Sequence, residues 1–178
     1  MTQAKPFEMR YSLLDAQCFD EFSTWKTAMF SPVEVRKQMF GDADCRKKLR
    51  AEAIEDKSAS VFPRRWDAVN VDQVKLAKNK SFERQSVEAV AKLQGTDGLD
   101  CFLDLSLEEN LETRFSHITT QGDPKAVCEI LKHPSVVIGQ SDAGAHMGYD
   151  ARFGYCTAFL GRWVRDHGIM SVEEAVSK

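Results

Sequence analysis

The sequence predicts a helix-rich α/β fold, and three observations carry that prediction. Val136-Val137-Ile138 is a short β-branched run bounded by turn residues, the mark of a strand buried on both faces in a parallel α/β sheet. Leu99, Phe102, Leu103, Leu107 and Leu111 recur every three to four residues, which makes one apolar face of a helix. From Arg114 to Thr120, residues Phe115, His117 and Thr119 alternate with Ser116, Ile118 and Thr120, the two-residue period of a strand.

Composition narrows the classes. The chain has 178 residues, 43% hydrophobic and 29% charged, enough for a domain with a real core. A net charge of -3 argues against nucleic acid or an anionic membrane as partner. No apolar stretch approaches the ~18 residues needed to span a bilayer. The N-terminus carries no signal-peptide pattern, so a cytoplasmic location is expected. Five dispersed cysteines without a C-x-x-C pair read as reduced thiols. The four histidines form no H-x-H or H-E-x-x-H, so internal metal-site spacing is absent.

Taken in order, Met9 to Leu14 is a candidate short strand in a segment without clear period. Ser31-Pro32-Val33-Glu34 predicts a helix start, with Ser31 as cap, Pro32 in the first turn and Glu34 closing a capping box. Gly41 ends that helix, and Asp42 or Asp44 opens a second from Ala43 to Asp56. Its basic run (Arg46, Lys47, Lys48, Arg50) reads as a solvated face. A strand from about Trp66 follows from the alternation of Val69 and Val71. Ser81 caps a helix over Phe82 to Leu93 that Gly95 closes, and Thr96-Asp97 opens the amphipathic helix from Leu99 to Asn110. His117, on the strand that follows, is either hydrogen-bonded scaffold or a residue facing a site. Asp123-Pro124 starts a helix that stops before His133-Pro134. Arg152 to His167 is helical and Gly168 ends it. His167 sits at the negative end of that helix dipole. Ser171 and Glu174 make a capping box for the last helix.

The candidate site follows the Val136–Ile138 strand. Gly139-Gln140-Ser141-Asp142-Ala143-Gly144-Ala145-His146 puts a carboxylate at a strand tip and a histidine in the loop beyond, where α/β folds place their chemistry. An aspartate there also serves as a plain helix cap or turn former. The stretch from His133-Pro134 through Ser141-Asp142 and His146 to Arg152, with Ser171 to Val176 after it, resembles the last barrel strand of metal-dependent amidohydrolases of the N-acyl-D-amino-acid deacylase group. Those proteins carry HP-x-V-x-I-G-SD-x-G-x-H, an arginine shortly after, a helix and then L/V-S-x-E-E-A-V. The resemblance extends over most of the chain from about Thr24.

The resemblance implies a partial (β/α)8 TIM barrel. Residues 1–60 would form a helical, lid-like connection, and 61–178 the C-terminal βα units, incomplete at both ends. It implies hydrolysis of the amide bond of N-acyl amino acids. Asp142 would be the proton shuttle beside a metal-bound water, and would touch the metal itself only together with upstream ligands. Arg152, His146 and Ser141 would bind substrate, the arginine by meeting its carboxylate as a planar bidentate donor or, alternatively, serving as a helix-start ion pair. Zinc is the usual cofactor of that family, with small N-acyl amino acids as substrates. The chain departs from the family in length and in lacking the metal-ligand motifs of the earlier strands, and a whole barrel takes ~250 residues. Neither bound metal nor activity is therefore expected of this chain by itself. The alternative is a non-catalytic α/β domain with a structural role, self-associating through exposed strand edges.

Overall fold

A computed structural model describes residues 2–55, 60–120, 122–139 and 154–178. Their elements run β1 (Phe7–Tyr11), α1 (Ser23–Phe30), α2 (Val33–Gly41), α3 (Ala43–Arg50), β2 (Asn70–Gln73), α4 (Val87–Gln94), α5 (Gly98–Glu108), β3 (Arg114–Thr120), α6 (Pro124–Lys132), α7 (Tyr155–Ala158) and α8 (Val172–Ser177). Wider, π-type turns continue α3 over Ala51–Glu55 and α7 over Phe159–Asp166. Helix dominates, and β3 lies between β1 and β2 in a small sheet, so the coarse α/β expectation stands. Pairing of β2 with β3 is antiparallel, Asn70 opposite Ser116 and Val71 opposite Phe115, with an irregularity before Gln73. Consecutive βα units make parallel pairs, so this pair is not of that kind. The chain divides into two compact units, Arg10–His117 and Met1–Met9 with Ile118–Lys178; residue 60 falls within the first.

The larger unit is built on aromatic side chains. Phe19 stacks on Trp25 with ring centroids 4.0 Å apart, and Phe62, Phe102 and Phe115 pack around them. Burying the Trp25 indole requires a partner for its N–H, which the Leu49 carbonyl supplies at 2.9 Å. Trp66 packs on Phe102 and covers Gly98, where a Cβ would come within 2.3 Å of its ring. A glycine there is a packing requirement. Trp66 itself lies in a single 3-10 turn, and the strand starts later, at Asn70.

Helix starts correct several expectations. Ser31 does not cap α2; it ends α1 and its hydroxyl donates back to the Thr27 carbonyl, while Pro32 holds the cap position without a side-chain bond. The expected box with Glu34 is therefore not formed. Ser81 falls in a 3-10 turn, and the cap of α4 is Ser86, which accepts from the Ala89 N–H. Leu93, near the end of α4, is exposed. The first strand lies two residues before its expected start, at Phe7. Asp42, Asp97 and Asp123 each cap the helix that follows, as their spacing predicts. Gly95 closes α4 in the left-handed conformation.

Two long-range polar contacts hold α1 in place. At its start the Glu52 carboxylate accepts from the Thr24 and Trp25 N–H groups and from the Thr24 hydroxyl, capping the helix from across 28 residues. At its end, buried Arg36 donates to the carbonyls of Ala28 (3.1 Å), Met29 and Ser31 (3.2 Å) and to those of Leu13 (2.7 Å) and Leu14 (2.9 Å). One guanidinium thus supplies donors to carbonyls at the helix end, of which Ala28 also accepts from the Ser31 N–H at 3.1 Å.

The smaller unit has its own core of Ala4, Val127, Leu131, Phe159, Trp163, Val164 and Ala175. The Trp163 indole donates to the Ala4 carbonyl at 2.6 Å, tying the chain start to the segment after α7. His167 stacks on the Trp163 ring at 5.1 Å, in addition to sitting at the helix end. Ser171 and Glu174 form the expected capping box. Ile138 pairs in parallel with Thr2 through bonds Thr2 N to Val137 O (2.9 Å) and Gly139 N to Thr2 O (3.3 Å). Val136–Ile138 is thus a single bridge to Thr2 and not a strand buried on both faces: Val137 is 52% exposed, so the described residues leave one of its faces uncovered.

Replacing Arg36 by Met keeps the volume of the side chain but leaves carbonyls of two segments without donors. Urea unfolding of Arg36→Met is expected to show a loss of about 2–4 kcal/mol. A change below about 0.5 kcal/mol, the size of a surface substitution, would contradict the role assigned to it.

Candidate functional site

Asp142, Ser141, His146 and Arg152, the residues the sequence singles out, lie outside the described residues. The described chain before them ends at Gly139. Lys132, Pro134, Val136, Val137, Ile169 and Met170 line an open groove of about 490 Å³ in the smaller unit, along the segment whose chain continues into Asp142. Among the described residues, no three His, Cys, Asp or Glu side chains gather where they could hold a metal ion. Nor is any described helix long and apolar enough to cross a membrane.

His117 belongs to the scaffold. It is buried on the central strand, with Nδ1 3.2 Å from the Tyr11 hydroxyl and Nε2 3.2 Å from the Val61 carbonyl. A carbonyl only accepts, so Nε2 carries the proton, Nδ1 accepts from the Tyr11 O–H, and the ring is neutral. Burial holds its pKa down to about 4, against which the Val61 bond pulls only weakly. Tyr11 is also hydrogen-bonded to Cys18, and burial raises both of these groups above their ordinary values. Burial likewise pushes the Cys101 thiol up to about 12. These thiols are protonated and unreactive. Cys18, Cys45, Cys101, Cys128 and Cys156 are all free, as their dispersed pattern suggests.

The basic run on α3 is not a purely solvated face. Arg46 bonds Asp100 at 2.9 Å and also Asp104, while Arg50 bonds Asp97 at 3.0 Å and Asp100 at 3.1 Å. Burial raises both Asp97 and Asp100; the Arg50 bonds overcome this for Asp97 and hold it well below the carboxylate range. Asp100, pressed against Asp97, stays above it. Helical spacing places Arg46 and Arg50 on one side of α3, but their partners lie some fifty residues away, so the sequence offered no direct signal. The cluster clamps α3 to α5.

Glu109 is a second structural carboxylate that sequence reading missed. It is 3% exposed and accepts from the Lys75 N–H (2.9 Å), the Leu76 N–H (3.1 Å), the Asn79 amide (3.0 Å) and the Thr113 hydroxyl (2.9 Å). Burial alone would raise its pKa; these four donors outweigh it and hold the pKa below the ordinary value.

Known proteins add little to the site. No family model matches the chain, and no solved structure does. Uncharacterized proteins of Mycobacterium tuberculosis and Mycobacterium bovis are 29% identical to it over 180 residues, which is 96% of this chain and 29% of theirs. The chain therefore spans less than a third of the length of these relatives.

Two pH dependences follow. His117 has a folded pKa of about 4 against about 6.5 unfolded, so the unfolded state takes up its proton first as pH falls. Its contribution is complete above about pH 6.5 and is lost as pH drops from there to about 4, by about 3 kcal/mol in all. His117→Gln keeps a donor and an acceptor without titrating, and its unfolding free energy is expected to stay flatter across that window; equal slopes in both proteins would refute the neutral-scaffold assignment. For Glu109 the folded pKa is depressed, so its contribution is present above the glutamate range and is lost as pH falls through the folded value. Glu109→Gln sets an amide N–H₂ against N–H donors and is expected to lose about 2 kcal/mol at neutral pH. Unchanged thermal or urea stability would speak against it.

Proposed function

We propose that this chain is a C-terminal barrel segment of a metal-dependent amidohydrolase of the N-acyl-D-amino-acid deacylase kind, acting in the cytoplasm. The observation that carries this reading is the run Ser141-Asp142-Ala143-Gly144-Ala145-His146 directly after Val136-Val137-Ile138. Two further facts support it. The mycobacterial relatives are much longer than the stretch they share with this chain. The Val136–Ile138 segment has one edge bridged in parallel and Val137 exposed, as a barrel strand lacking a neighbour would.

In this reading Asp142 takes the proton of the attacking water and passes it to the leaving amine, a transfer that needs a carboxylate within hydrogen-bond reach of both. Arg152 meets the substrate carboxylate with its two parallel N–H groups, and Ser141 and His146 hold the substrate beside it. The zinc of the parent family would supply Lewis acidity to the amide carbonyl. Among the described residues no three His, Cys, Asp or Glu side chains gather to hold such an ion, and in this reading Asp142 meets it only together with ligands from upstream strands. This reading expects no activity of the chain by itself.

A second reading draws on the antiparallel β2–β3 pair, which a (β/α)8 barrel does not contain, and on the closed aromatic core of residues 10–117. The chain is then a non-catalytic α/β domain that self-associates through its open edge.

A chimera in which this chain replaces the matching stretch of a mycobacterial relative separates the two. The deacylase reading expects bound zinc and hydrolysis of N-acetyl-D-amino acids in the chimera and neither in the isolated chain. Asp142→Asn should then lower kcat by roughly 100-fold or more while zinc stays bound. Stoichiometric zinc with turnover in the isolated chain, or a folded chimera with neither, would overturn it.

A further inference from the structure

We draw no further inference here: the strongest candidate, the exposed apolar patch of Leu14, Phe30 and Val33 around the Arg36 guanidinium at the end of α1, is an unpartnered face and nothing in the structure shows what covers it.

Discussion

A polar group sealed among aromatic rings must find its partners within the protein, because water cannot reach it. That constraint governs the unit formed by residues 10–117. Its rings exclude solvent around Phe19 and Trp25, and the Trp25 indole enclosed with them is matched to main chain. Arg36 saturates carbonyls from two segments, Glu109 gathers donors from the chain after β2, and His117 joins β3 to Val61. Such bonds add modest net stability one by one, but each is costly to leave half made. They fix where the loops run.

This separates two kinds of buried ionisable group. A perturbed pKa in a cleft is a reason to suspect chemistry. His117 and Glu109 are perturbed too, but each of their polar atoms is already matched to a neighbour. A histidine whose two nitrogens face a phenol and a carbonyl has no remaining lone pair for a metal or a substrate. The scaffold alternative therefore prevails for His117.

What could be read from the sequence was local. Asp97, Asp123 and Ser171 act on N–H groups two or three residues away, so spacing alone places them, and β3 shows its alternation within seven residues. Ser31 and Ser81 carried the same local signal but lost to nearby alternatives, Pro32 and Ser86. Arg46 and Arg50, read as a solvated face, act across longer separations, as do Glu52 and Arg36, which no local pattern singles out. Val136–Ile138 has the composition of a doubly buried strand, but burial depends on neighbouring strands as well as on residue type. Of the candidate site, the sequence supplies the residue identities and a resemblance, and the residues themselves lie outside the described ones.

His117 is held neutral and matched within the scaffold, and its imidazole reports on this directly. Nitrogen-15 NMR of the histidine-labelled protein at about pH 6, below the ordinary histidine pKa, should show a neutral ring for His117, protonated at Nε2 and bare at Nδ1. A doubly protonated ring, or the opposite tautomer, would mean that the Tyr11–His117–Val61 chain is not the one described and that His117 is available for chemistry after all.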